Sequence, residues 1–179
     1  NRHGQVGQPA GDEHHDDNLP YFYDLQFAED EKPNAVSCGT NSNILYRKGT
    51  QRAVVIGNNT YGQLCCGHKN GLNNLEGFGE WNEKVPWFRG EQGGIKEVIS
   101  GNMHTIMHMD NDNLYAAGSN MRGELAIGSL TSPMEPTKIT FFKDKGMKLK
   151  KVRAGCSFSL FLTEEGRVYG SGNWSTGAV

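Results

Sequence analysis

Gly57-Asn58-Asn59-Thr60-Tyr61-Gly62-Gln63-Leu64 returns 61 residues later as Gly118-Ser119-Asn120-Met121-Arg122-Gly123-Glu124-Leu125. Partial copies stand at Gly4-Gln5-Val6 and Gly177-Ala178-Val179, so the inner glycine of the block recurs at intervals of 58, 61 and 54 residues. A second mark, Gly39, Gly101 and Gly155, keeps step with intervals of 62 and 54. Repeats of this length with strand-like content specify an array of small sheets, since one such sheet cannot bury both faces alone. A propeller is the closed form of that array.

Working outward, each unit reads as strand, strand, hairpin, strand. In the last unit Leu149-Lys150-Lys151-Val152-Arg153-Ala154 and Ser159-Leu160-Phe161-Leu162 lead through Thr163-Glu164-Glu165-Gly166 to Arg167-Val168-Tyr169-Gly170-Ser171-Gly172. The middle unit runs Ile95–Ile99, Thr105–Met109, a turn at Asp110-Asn111-Asp112-Asn113, and Leu114–Gly118. The first runs Ala35-Val36, Asn43–Tyr46, a turn at Lys48-Gly49-Thr50, and Ala53–Gly57. A proline leads a fourth candidate strand at Pro20-Tyr21-Phe22-Tyr23, Pro86-Trp87-Phe88 and Pro136-Thr137-Lys138-Ile139. Four strands per unit make a propeller blade, and the glycines suit sharp turns and close backbone approach.

On these residues, together with Gly101-Asn102-Met103-His104-Thr105, the chain resembles the regulator of chromosome condensation repeat family. It departs from the pattern at Trp174, which stands where Asn1, Asn59 and Asn120 stand, at Ser42 and Phe158, which replace the block histidine, and at Cys65 and Ala126, where a further glycine is usual. The resemblance implies an all-β chain of about three four-stranded blades from a larger ring, seven-bladed in family members. Residues 1–179 are expected to be a partial propeller, with units near 1–57, 58–118 and 119–172 and a further repeat beginning at 173–179. Starting and stopping inside a motif, the sequence reads as a segment of a longer polypeptide that supplies the remaining blades.

Composition narrows the function. A formal net charge of −2 and a pI near 6.3 argue against a nucleic-acid surface, which needs a basic stripe. The lysines at 143, 145, 148, 150 and 151 read as a solvated, edge-protecting cluster. No apolar run reaches membrane-spanning length, so membrane insertion is not expected. Gly90-Glu91-Gln92-Gly93-Gly94 lacks the Gly-Lys-Ser/Thr and the helix of a phosphate loop.

No metal site, cofactor or catalytic set is expected. Cys65 and Cys66 are adjacent rather than spaced as zinc ligands, and Cys38 and Cys156 are expected to be small buried residues beside repeat glycines. Reduced thiols in an intracellular protein follow. The acidic run Asp12-Glu13-His14-His15-Asp16-Asp17 reads as a solvated spacer. A calcium loop starting at Asp110 fails, because its sixth position is Tyr115 and its twelfth Met121. The histidines stand at unrelated repeat positions, and His104 is expected to hydrogen-bond within the core or between blades. Asn58-Asn59-Thr60 and Asn173-Trp174-Ser175 are formal glycosylation sequons at positions where the repeat itself supplies asparagine.

The expected function is a non-enzymatic scaffold that binds other proteins, as part of a larger protein or a multi-subunit assembly. The alternatives implied by the resemblance are a guanine-nucleotide exchange factor for a small GTPase, and a regulatory propeller fused to an enzyme such as a ubiquitin ligase.

The spacer from motif glycine to strand proline is longest in the second unit, 24 residues from Gly62 to Pro86 against 16 and 13 elsewhere. Insertions in repeat proteins go to loops, often on the binding face. This one carries Leu75, Phe78 and Trp81 and leads to Trp87 and Phe88, five candidate anchors for a partner. The competing reading folds them back onto their own blade. Replacing Phe78 and Trp81 by alanine is expected to reduce recovery of co-purifying proteins at unchanged melting temperature; an unaltered partner set removes the loop from the interface.

Overall fold

The computed structural model describes residues 25, 27–71, 79–80, 90–173 and 175. Three antiparallel sheets form, each with its strands side by side in chain order. The first contains β1 (Ala35–Cys38), β2 (Ser42–Tyr46), β3 (Arg52–Gly57) and β4 (Gly79–Glu80). The second contains β5 (Ile95–Ser100), β6 (His104–Met109), β7 (Leu114–Gly118) and β8 (Thr137–Ile139). The third contains β9 (Leu149–Ala154), β10 (Phe158–Thr163) and β11 (Val168–Gly172). One cross-strand pair recurs in all three: Ser42 opposite Gly57, His104 opposite Gly118, and Phe158 opposite Gly172.

Strand alternation divides β6 between two neighbours. Met107 and Met109 join Ile44, Val55, Leu64 and Ile95 between the first and second sheets. Ile106 joins Leu125, Phe142, Val152 and Phe161 between the second and third. With both faces covered, all six residues of β6 are buried. In β10 burial alternates, with Ser159, Phe161 and Thr163 buried. Each large apolar side chain withdrawn in this way contributes about 1.5–3 kcal/mol.

Several expectations change at the level of single elements. The fourth strand of the first sheet is Gly79–Glu80, paired with Ala53 and Arg52, ahead of the proline at 86. The proline-led stretches at 20–23 and 86–88, and the acidic run at 12–17, lie outside the described residues. The third sheet has three strands among the described residues, where four were expected. A helical turn, α1 (Phe141–Asp144), stands between β8 and β9. It exists because Phe142 drops into the second core, its ring 5.0 Å from Phe161 and 5.5 Å from Tyr169, and the Phe142 carbonyl accepts from the Met147 N–H. Cys38 and Cys156 are exposed rather than buried, since they lie at the open end of the innermost strands.

The recurring glycines meet two steric demands. Gly57, Gly118 and Gly172 have φ of 105°, 113° and 125°, a region that side chains avoid, and a Cβ there would meet the carbonyls of Asn41, Met103 and Ser157. At Gly39 and Gly101 the demand is proximity. A Cβ on Gly39 would lie 2.7 Å from the Gly101 carbonyl oxygen, and one on Gly101 the same distance from that of Gly155. The side chain three residues on takes the remaining space: Ser42, the His104 ring and the Phe158 ring.

Gly101→Val and Gly155→Val are therefore expected to lower stability by several kcal/mol, on the order of the largest core substitutions, read from thermal or denaturant melts of the intact polypeptide. Gly71→Val, where a Cβ would meet only the Gly57 carbonyl at 3.5 Å, should be nearly neutral.

Candidate functional site

The Gly-Asn blocks build one face of the molecule. Strands of a meander reverse direction at each turn, so the β1–β2, β3–β4, β5–β6, β7–β8 and β9–β10 loops all emerge at the same end. Within each block the asparagine organises the loop. Asn59 accepts the Leu64 N–H at 2.9 Å and donates to the His68 carbonyl at 2.6 Å. Asn120 accepts the Leu125 N–H at 2.9 Å and donates to the Ser129 and Thr131 carbonyls, both at 2.8 Å. These bonds drive Leu64 and Leu125, fully buried, into the two cores. The next residues, Cys65 and Ala126, sit at φ 60° and 56°, the left-handed conformation for which glycine is usual. A rung of backbone bonds then ties each block to the neighbouring loop: Asn58 to Asn41, Ser119 to Met103 and Asn173 to Ser157, at 2.7–2.8 Å.

Polar side chains also join the sheets. The Thr105 hydroxyl donates to the Gln63 carbonyl and the Ser159 hydroxyl to the Glu124 carbonyl, each at 2.7 Å. Ser159 has then used its proton, so His104 Nε2, 3.0 Å away, is the donor in their contact. His104 is thus the inter-sheet histidine that was expected. Its Nδ1 is buried without a partner. Burial pushes the imidazole down to about 4, opposed by the Glu124 charge. His108 is also held down, by burial and by Lys96, and Asp112 opposes the shift. The 3.5 Å between its Nε2 and Asp112 Oδ1 is an ion-pair distance that does not meet hydrogen-bond geometry. Both rings are neutral framework at pH 7.

At the opposite end, Glu91 clasps the hairpins. Its carboxylate accepts from Asn111, from Asn113 at 2.8 Å, from the Tyr115 hydroxyl and from the Gly93 N–H at 2.8 Å. Burial would raise its pKa, and these donors outweigh burial and hold it at about 2. Tyr115 is raised in turn, by burial and by Glu91. Gln51 of the first sheet's hairpin donates to the Glu91 and Gly93 carbonyls, and Lys143 of α1 to Asn113 at 2.7 Å. The lysines at 143, 145, 148, 150 and 151 are all exposed, as expected of a solvated cluster.

Four large apolar side chains also stand exposed on the Gly-Asn face. Met103, Met121, Leu130 and Met134 all stand on loops of the Gly-Asn face, Met121 at 69% and Leu130 at 67% exposure. The loop carrying Met134 packs on the first block, where a Cβ on Gly62 would lie 2.9 Å from the Met134 Cα. These four residues are absent from the sequence-based candidates, although a methionine inside the polar Asn120–Gly123 turn was a readable signal. The five candidates proposed from sequence, Leu75, Phe78, Trp81, Trp87 and Phe88, lie outside the described residues. Among the described residues no group of three metal-ligating side chains converges, and no helix is long and apolar enough to cross a membrane.

The regulator of chromosome condensation (RCC1) repeat family matches residues 111–162, the segment from the second hairpin through β10. The chain is an RCC1-like partial propeller. It is 28% identical to the human X-linked retinitis pigmentosa GTPase regulator over 151 residues, covering 84% of this chain and 14% of that protein. It is 30% identical to the mouse secretion-regulating guanine nucleotide exchange factor over 124 residues, 69% of this chain and 24% of that one. The chain thus spans between about a seventh and a quarter of these curated relatives. Among solved structures it superimposes on human WBSCR16 with a TM-score of 0.72 at 17% identity, over 96% of this chain and 40% of that one. On yeast RCC1 (Prp20), solved bound to Kap60, the TM-score is 0.60 at 18% identity, over 79% and 32%. The architecture is that of a propeller interaction module.

The shift at His104 has a consequence for stability. Its folded value of about 4 lies below the ordinary 6.5, so the unfolded chain takes up the proton first. The contribution is fully present above pH 6.5 and is lost as pH falls toward 4. Denaturant melts at pH 7 and pH 4.5 should show a loss on the order of 2–3 kcal/mol from this group, and His104→Gln should show a correspondingly shallower pH slope.

Proposed function

We propose that this chain is part of a non-enzymatic, intracellular scaffold that binds other proteins through its Gly-Asn face, as one component of a larger polypeptide or assembly. The observation that carries the reading is the group Met103, Met121, Leu130 and Met134, exposed on the loops of that one face. Methionine and leucine side chains adapt to partner surfaces and lose little on desolvation. Two histidines and the best-bonded carboxylate, by contrast, are taken up by the framework: His104 and His108 are buried and neutral, and Glu91 is saturated with donors. Phe78, Trp81 and their neighbours belong to the same proposal as further anchors.

A second reading, nucleotide exchange on a small GTPase, is favoured by the names of relatives, among them the mouse exchange factor and the human GTPase regulator. The Met121→Asp, Leu130→Asp, Met134→Asp triple variant separates the two. These side chains are exposed, so the melting temperature should hold while recovery of co-purifying proteins falls several-fold. Nucleotide release from a panel of small GTPases, measured with the intact polypeptide, should stay at its intrinsic rate. Acceleration that the triple variant abolishes would establish the exchange-factor reading in its place.

A further inference from the structure

The β7–β8 loop carries Ser129-Leu130-Thr131-Ser132-Pro133-Met134-Glu135 across the Gly-Asn face. Of the six prolines in the chain, Pro133 is the one that follows a hydroxyl residue. A proline restrains the residue before it to extended backbone, so Ser132 is presented in the form that a linear recognition cleft accepts. Its surroundings in the chain are exposed: Ser129, Leu130 and Thr131 before it, Met134 and Glu135 after the proline. The Ser132 Oγ accepts the Asn120 N–H at 2.9 Å, and no bond among the described residues uses its own proton. The framework thus positions the oxygen and leaves its hydrogen free to be replaced. Ser129 and Thr131 differ, since their hydroxyls contact each other at 2.8 Å and neither precedes a proline.

We propose that Ser132 is a phosphorylation site for a proline-directed serine/threonine kinase, and that its phosphate closes the Gly-Asn face to partners; the second half rests on the interface reading above. The Ser132 oxygen attacks the γ-phosphorus of a nucleoside triphosphate. The new O–P bond forms as the bond to the β,γ-bridging oxygen breaks, its electron pair leaves with the nucleoside diphosphate, and the serine proton passes to a base of the kinase. The ester carries a charge of about −1.5 to −2 at pH 7. It stands two residues from Leu130 and two from Met134, which are 67% and 44% exposed, and three from Glu135. Residues 123–136 contain no lysine or arginine to neutralise it. An apolar partner surface seated on Leu130 and Met134 would therefore strip water from an uncompensated dianion, at a cost that exceeds the return from two side chains.

Incubating the intact native polypeptide with a purified proline-directed kinase and Mg-ATP, followed by mass-spectrometric peptide mapping, tests the site without reference to any partner. One phosphate is expected, on Ser132. Pro133→Ala, which keeps the carbonyl that accepts the Gly118 N–H, should slow its incorporation several-fold at unchanged melting temperature. Phosphorylation should then lower recovery of co-purifying proteins several-fold, a phosphatase should restore it, and Ser132→Ala should keep its partners under kinase treatment. No phosphate on native Ser132, or a Pro133→Ala rate equal to wild type, overturns the site. A phosphorylated protein that keeps its partners, where the Met121→Asp, Leu130→Asp, Met134→Asp variant has lost them, overturns closure of the face. Partners kept by that variant as well would mean that the interface reading fails, and the regulatory role with it, while the mapped phosphate stands on its own measurement.

Discussion

The inner strands of neighbouring sheets come together backbone to backbone where they enter the loops, and that approach leaves no room for a Cβ at Gly39 or Gly101. The carbonyl of the next repeat's glycine occupies the position that a side chain would take. From this contact the rest follows. It sets the spacing between sheets, and the spacing lets β6 share its alternate residues between two cores. It also fixes where Ser42, His104 and Phe158 lie, three residues on, so that each packs over its own glycine and opposite the positive-φ glycine of the third strand. A larger residue at the contact separates sheets, because the atom it strikes is a carbonyl already held in the neighbour's structure.

Repetition of this contact separates framework from function. Asn59 and Asn120, Gln63 and Glu124, and Leu64 and Leu125 do the same work in successive loops: amide bonds shape the turn, and the leucine seals a core. Positions between them carry no such duty. Thr60 corresponds to Met121. The exposed Met121 belongs to this freely varying class, which is why it is among the residues to which partner contact is assigned.

Burial acts in opposite directions on the two perturbed groups, and hydrogen-bond supply decides the outcome. His104 has one partner and an unpaired Nδ1, so burial keeps it neutral down to about pH 4. Glu91 has four donors from three neighbouring segments, and they hold its charge down to about pH 2 although burial opposes it. Both ties run between elements distant in sequence, the first joining β6 to β10 and the second joining the segment before β5 to its hairpin. A saturated anion and a neutral imidazole stabilise such joints; neither is poised to exchange a proton near neutral pH.

Much of the fold was legible in the sequence because the constraints that set it are local and repeated. The intervals between glycines, the strand–hairpin–strand order and the turn at Asp110–Asn113 each follow from chain geometry within a few residues, and the strands form where they indicate. Elements that depend on a distant surface were not legible. The helical turn at Phe141–Asp144 forms because Phe161 and Tyr169 provide a place for Phe142. The exposure of Cys38 and Cys156 depends on where three separate sheets leave an opening, and the donor to Cys156 comes from 54 residues away. Sequence by itself determined the repeat, its strands and the glycines that permit close approach, because sterics act on neighbouring atoms. Only the tertiary structure decided which loop residues share a face and which thiols meet solvent, because those depend on how the sheets pack against one another.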